Sequence, residues 1–469
     1  MKGDFDVVVV GSGAGGGVVA GELAQRGRDV LLLECGPHLR AVDFTRWEAK
    51  ASHDLFWPLR MAPLPSGEVV AFLAGRCVGG TTTINTKVAF RAHGHDVAKW
   101  HPATGLTLDG GEPFCVADLE SYYDRVEQVL GVRERSDWKK SVFTVEAGFR
   151  ALGAELESVH AYTDANCTSC GSCIQGCASN AGKSTMNTYI ADALADGILE
   201  LRANATVERV LIESSEATGV EYVDSVGERH TVHAGAVVVA AGALNTPQLL
   251  TRSGLVNASI GRHLGLHPVR LVYGLFEEPQ DAHMVYPITA HCVKFQHDED
   301  GGFVIEATTI QDPISFATTL RDEQGPFWGS RLTEAVRKFR HWNGVLAMAN
   351  DENNASVVVD ENCQERFDLA FNERELGRID ASLEFGKRVL EAAGARQVCW
   401  TGLASTHVQG SCRMGDDPER SATDRNGQVH GVEGLYVGDS SLIPRTLSVN
   451  PSLTIMALAT RLADHLAGQ

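Results

Sequence analysis

Val7-Val8-Val9-Val10-Gly11-Ser12-Gly13-Ala14-Gly15-Gly16-Gly17 is the stretch that decides how this chain folds. Four β-branched residues between Asp6 and Gly11 read as a strand buried on both faces, and the glycine run opens a helix from about Gly15 to Arg26. Gly11 permits the tight turn, Gly13 lets the backbone approach a pyrophosphate with no Cβ in the way, and Gly16 lets the helix pack on the strand. Ala14 belongs to the same turn. The phosphates of a dinucleotide would meet the helix N-terminus, where unpaired N–H groups and the positive dipole end face them. A second strand, from Asp29 to Leu33, ends at Glu34, whose carboxylate falls about where an acid accepts hydrogen bonds from an adenosine ribose. Strand, turn, helix, second strand and acid in that order predict dinucleotide binding, without separating FAD from NAD.

The rest of the composition sets bounds. At 469 residues the chain predicts two closely joined domains around a large core. A formal charge of −19 argues against nucleic acid or an anionic membrane as partner, and leaves a solvated acidic surface or attraction of a cationic substrate. Asp4 and Asp6 precede the first apolar run, so nothing there reads as a secretory signal, and no run of about 20 apolar residues predicts a membrane span. Four of the 11 cysteines crowd into Cys167–Cys177, which suits a reducing, cytoplasmic setting with a metal or redox cluster better than a disulfide framework.

Along the chain, residues from Pro37 to Leu73 show no clear period and read as an excursion that covers the cofactor. Gly79-Gly80-Thr81-Thr82-Thr83-Ile84-Asn85 offers backbone N–H groups and hydroxyls to a ligand. Residues 118–153 read as helical, with Leu119, Tyr122, Val126 and Leu130 on one face, and Ser184 as the cap of a short helix through Ala195. Strands follow from Ile198 to Val239. Further extended runs fall at Val269–Phe276 and Phe303–Thr309, with helices near Leu332–Phe339 and Ile379–Ala393. A strand ends at Gly438-Asp439, and a final helix runs from about Pro451 to Leu466.

Five blocks in one order then carry a resemblance. They are the N-terminal glycine unit, Gly79 to Asn85, Gly242-Ala243-Leu244-Asn245-Thr246-Pro247-Gln248-Leu249-Leu250, His407-Val408-Gln409-Gly410-Ser411-Cys412-Arg413-Met414-Gly415, and Gly438-Asp439-Ser440-Ser441 with Asn450-Pro451-Ser452-Leu453-Thr454. The chain resembles the glucose–methanol–choline (GMC) oxidoreductases over nearly its whole length. The resemblance implies an α/β fold, a Rossmann-like FAD-binding domain with an inserted α+β substrate domain built on an antiparallel sheet. It places FAD-domain segments at 1–160, 198–267 and 401–469, the cysteine loop and its helix at 161–197, and the substrate domain at 268–400. It implies an FAD enzyme that oxidises an alcohol hydroxyl to a carbonyl, the substrate a small molecule such as a sugar or aminosugar, with oxygen, a quinone or an acceptor protein taking the electrons. The FAD is expected to be noncovalent, because the family's covalent attachment needs a histidine in the second block and Gly79 to Asn85 contains none.

Carried over by residue, the resemblance puts Gly79, Gly80, Thr81 and Asn85 near the flavin, Val207 against the adenine through its backbone, and Gly438 and Asp439 beside the flavin chain. His407 occupies the position of the general base and Asn450 that of the group bonding the developing alkoxide. Imidazole near neutral pH suits removal of a hydroxyl proton as hydride leaves. His267 and His430 read as structural. The spacing of Cys167, Cys170, Cys173 and Cys177, C-x2-C-x2-C-x3-C, suits the corners of an iron–sulfur cluster. Both [3Fe–4S] and [4Fe–4S] stay open, as do a tetrahedral zinc site and plain thiols or a disulfide. Two rival functions stand beside alcohol oxidation: a lyase or other non-redox FAD protein on the same fold, and an iron–sulfur flavoprotein acting as electron carrier or redox sensor.

Overall fold

The computed structural model describes residues 3–308, 312–360 and 364–468. Its first sheet grows from the valine run. Phe5–Val10 lies between Val30–Glu34 and the second half of Arg229–Val239, and Leu199–Ala203 and Leu435–Val437 complete five parallel strands. Val7 to Val10 are buried on both faces, as a continuous apolar run in a parallel sheet must be. The first half of Arg229–Val239 instead joins Thr206–Glu213 and Glu216–Val223 in an antiparallel meander. Helix Gly16–Gln25 packs against both Tyr189–Ala195 and the last helix, Ser452–Ala467.

The second sheet is antiparallel in its centre. Gln397–Trp400, Val269–Leu275, Trp342–Ala349, Phe303–Thr308 and Ile288–Cys292 follow one another across it. Thr309, which the sequence assigns to the fourth of these strands, lies outside the described residues. Helices Glu373–Ala392 and Lys140–Ala151 cover one face, packed on Val272, Ile305, Ala307 and Val345. Asn372 caps the longer helix by accepting from the Glu375 amide, while Glu375 accepts from the Asn372 amide.

Two sequence expectations change. The helical stretch 118–153 is two helices, Glu120–Leu130 and Lys140–Ala151. Gly131 closes the first in the left-handed region, and Arg133–Glu134 pairs with His160–Ala161 before the second begins. The excursion from Pro37 to Leu73 contains helix Glu48–Leu55 and a hairpin, Arg60–Pro63 with Val69–Phe72. The hairpin extends the second sheet through parallel pairing of Val69–Phe72 with Leu403–Ser405, two residues before His407. Among the described residues no helix is long and apolar enough to cross a membrane.

Candidate active site

The glycines of the first turn have separate jobs. Gly11 has φ +97°, and a Cβ there would stand 2.3 Å from the Ala240 carbonyl oxygen. At Gly16 a Cβ would meet Gly11 O at 1.9 Å, and at Gly15 it would meet Gly438 O at 1.7 Å, so these two let backbone pass backbone. Gly13 differs. A Cβ there would meet nothing within 4 Å, which leaves an open cradle at the start of the helix, where the Gly17 amide bonds back to Gly13 O (3.0 Å) and the Val19 amide to Gly15 O (2.9 Å). Ala14, next in the turn, is half-buried.

Glu34 is buried beneath this cradle. Its Oε2 accepts from the Ser12 amide (3.1 Å) and hydroxyl (2.6 Å), and its Oε1 from the Gly36 amide (2.8 Å). The Cys35 thiol is a fourth, weak donor to Oε1 (3.3 Å), the contact that a ribose hydroxyl would replace. Val207 follows close behind, in the strand that begins just after Ala205, whose amide donates to the Glu34 carbonyl (2.9 Å). The second block closes over the turn from above. The Gly79 amide donates to Ser12 Oγ (2.9 Å), and a Cβ on Gly80 would lie 2.8 Å from Gly13 Cα. Thr81 is exposed, its hydroxyl accepting from the Gly75 amide (3.0 Å).

Asp439 is a fastening point. One oxygen accepts from the Gly242 amide (2.8 Å) and the Thr246 hydroxyl (2.5 Å), the other from the Ser441 amide (2.8 Å) and hydroxyl (2.6 Å). Four donors hold the turn at Gly242 against the turn after Gly438, although burial still pushes the carboxyl pKa up. The open Gly13, the helix amides and the buried Glu34 make a donor and acceptor set that fits a dinucleotide.

His407 and Asn450 arrive from opposite ends of the C-terminal segment. The His407 ring lies deep among protein atoms, yet the residue retains part of its surface. Burial lowers its pKa to about 4, and Nδ1 is sealed without a hydrogen bond. At neutral pH the ring is therefore an uncharged imidazole able to accept a proton. His267 stands against it, ring centroids 5.3 Å apart and planes 45° inclined, and neither of its buried nitrogens has a partner. Its pKa is held far below the ordinary histidine value by burial first and by His407 second.

Asn450 precedes the last helix, with Oδ1 buried and unpartnered. Asn85 Nδ2 donates to the Tyr162 hydroxyl, which lies 3.2 Å from Ser452 Oγ, so one polar chain links the second block to the start of the last helix. His430, by contrast, is bonded to Ser421 Oγ at 2.9 Å, away from this pair.

Sequence reading missed three groups here. His267, which reads as structural in the sequence, packs on His407. Tyr162 had no motif to mark it. Glu306, fully buried on strand Phe303–Thr308, interrupts an apolar run, and that lone charge was the available signal.

The cysteine loop is well anchored. Arg135, buried over the Tyr286 ring at 4.2 Å, donates to Ser169 Oγ (2.9 Å), and Gly176 packs on the Phe44 ring. Cys177 Sγ accepts from the Gly182 amide (3.1 Å). Burial raises the Cys173 thiol to about 12, opposed by the buried Lys87 ammonium and reinforced by Cys177, Cys167 and Cys170. The four thiols do not gather as their spacing predicts. Among the described residues, the group of three or more ligating side chains whose donor atoms lie within 4.8 Å of one another is Asp224, Glu228 and His230, on a surface turn.

Comparison with known proteins decides the family. The GMC oxidoreductase N-terminal model matches residues 5–269 and the C-terminal model residues 370–459. The chain is a GMC oxidoreductase. A long-chain-alcohol oxidase of Arabidopsis thaliana is 28% identical over 97% of this chain, which spans 66% of that protein. Paromamine 6'-oxidase of Streptomyces fradiae is also 28% identical, over 99% of this chain and 91% of its own length. Among solved structures, a pyridoxine 4-oxidase superposes with TM-score 0.75 at 17% identity, covering 98% of this chain and 99% of that one. A formate oxidase superposes with TM-score 0.74 at 13% identity, covering 100% and 99%. GMC oxidoreductases bind FAD, and in this member the cradle at Gly13 and Glu34 matches that requirement.

Proposed function

We propose that this GMC oxidoreductase oxidises the hydroxyl of a polar alcohol to a carbonyl, with FAD held noncovalently between the Gly11–Gly16 turn and the Gly79–Asn85 segment. The carrying observation is the uncharged His407, its ring packed against His267, in the same C-terminal segment as Asn450, whose Oδ1 is buried and unpartnered. Bound FAD supplies the acceptor for the hydride that leaves the carbinol carbon. His407 takes the hydroxyl proton, so that charge builds on the oxygen only as it is needed. The Asn450 amide donates to that oxygen and holds the carbon in line. Enclosure by protein keeps water from competing for both groups.

Sugars and aminosugars are the preferred substrates. The charge of −19 favours a cationic substrate over distance, and a relative acting on paromamine spans nearly the same length. Anaerobic bleaching of flavin absorbance by an alcohol panel tests the reading. A lyase or redox sensor predicts no bleaching by any alcohol.

A second component concerns electron exit. Lys87 is fully buried and donates to the Thr82 and Thr83 carbonyls of the second block, while lying close enough to Cys173 and Cys177 for their charges to bear on it. A buried cation beside Cys173 and Cys177 offsets negative charge there and favours an iron–sulfur cluster on Cys167, Cys170, Cys173 and Cys177, which requires these thiols to draw together from the separate positions they hold. Iron and acid-labile sulfide assayed in anaerobically prepared protein test it, and their absence removes this component while leaving alcohol oxidation intact.

A further inference from the structure

Glu306 is a fully buried carboxyl with no hydrogen bond to either oxygen. Such a group is costly to a fold unless something completes it. Its place on the second sheet shows which face it takes. Phe303, Ile305 and Ala307 point into the core beneath the helices, so Val304 and Glu306 point to the opposite face. There Val304 joins Val269 and Met348 in a small apolar cluster edged by Leu346 and Ala404. Across the strands Glu306 stands opposite Leu346 and His291. His291 is no counter-ion, because burial drops its pKa to about 4 and its ring stacks on Phe90 at 4.8 Å. Among the described residues no lysine or arginine bears on Glu306. Asn450 does, without a hydrogen bond of good geometry, and its own Oδ1 is also unpartnered.

We propose that Glu306 is the substrate-recognition carboxylate of this site, receiving the ammonium group of an amino alcohol whose hydroxyl lies between His407 and Asn450. This rests on the reading of His407 and Asn450 given above. Contact with Asn450 limits the spacing: the amine and the reacting carbinol are separated by only a few bonds. Burial pushes the carboxyl pKa up to about 7, and an ammonium ion beside it favours the ionised form, so binding releases the proton that the empty site retains. The surrounding Val269, Val304 and Met348 exclude water and strengthen that pairing.

The test uses FAD-loaded protein, glucosamine as the cationic probe and glucose as the neutral one. Binding is read from perturbation of the flavin spectrum, and turnover from anaerobic bleaching. Wild type should bind glucosamine more tightly than glucose. Glu306→Gln should weaken glucosamine binding by about 30-fold or more while leaving glucose within a few-fold, and Glu306→Asp should restore part of the preference. Equal binding of both probes by wild type overturns the proposal, as does equal loss of both in Glu306→Gln, which marks a positioning role through Asn450. Preference for glucosamine without bleaching by either sugar sustains the Glu306 assignment and sinks sugar oxidation instead.

Discussion

Gly13→Ala separates cofactor binding from folding more cleanly than any change at the chemical groups. The new Cβ would meet no protein atom within 4 Å, and φ at this position is not in the left-handed region. The folded apoprotein should therefore lose nothing, and the stiffer unfolded chain should add about 0.4–1 kcal/mol of stability. The same methyl enters the space in which the pyrophosphate must approach the backbone. Overpacking by one methyl costs about 1–3 kcal/mol, which weakens FAD binding by about 5- to 150-fold. Gly15→Ala is the control: its Cβ would sit 1.7 Å from the Gly438 oxygen and should damage the fold itself. Thermal unfolding of the flavin-free protein and reconstitution followed by quenching of FAD fluorescence report the two effects separately. Unchanged FAD affinity in a normally folded Gly13→Ala protein would refute the placement of the pyrophosphate.

The remaining predictions concern the reaction and its supports. His407→Ala should retain FAD but slow anaerobic flavin reduction by about two to four orders of magnitude, and Asn450→Ala should slow it less; normal reduction by the His407 variant places the base elsewhere. Because burial holds His407 near pKa 4, kcat/KM for a neutral sugar such as glucose should stay level from pH 8 down to about 5 and fall only as the ring protonates below that, whereas for glucosamine it should already fall through about pH 7 as Glu306 protonates; an acid limb at pH 6.5 with glucose contradicts the buried, neutral base. Glu306 has a raised pKa in the folded state, so its contribution to stability is present below the unfolded value and lost as pH rises through about 7. Thermal unfolding of Glu306→Gln should therefore show a gain of up to about 3 kcal/mol at pH 8 and none at pH 4, and an equal effect at both would rule out a buried ionisable carboxyl. Asp439→Ala releases four donors at once and should cost several kcal/mol of stability as well as FAD, measured by denaturant titration of the flavin-free protein.

Local physics explains which parts of this architecture were legible in the sequence. The parallel strands were readable because Val7 to Val10 and Val237 to Val239 are uninterrupted apolar runs, and the turn because glycine at Gly11 and Gly16 answers backbone contacts that any side chain would block. The hairpin of Arg60–Pro63 with Val69–Phe72 was not, because Leu403–Ser405, which pairs with its second strand, lies in a distant part of the chain and its alternation is too short to register. His267 escaped for the same reason. A histidine without neighbours in sequence gives no hint that another ring will pack on it. The cysteine spacing was plain, yet spacing fixes neither thiol direction nor distance, and the loop is held by Arg135, Tyr286 and Phe44 in a shape of their choosing.

The parallel sheet also governs how this chain must be made. Val8 pairs with Val237, and Val238 in turn with Tyr436, so neighbouring strands of the cofactor sheet emerge from the ribosome tens of seconds apart at about 5–20 residues per second. Until Leu435–Val437 arrives, the strand Arg229–Val239 has a bare edge of unpaired backbone, and Gly438 and Asp439 are not there to close the first turn. The nascent chain thus presents an apolar, strand-hungry surface for nearly its entire synthesis. Holding factors that bind such edges, and FAD supplied early, should raise the yield of soluble protein far more than any change to the finished enzyme's surface.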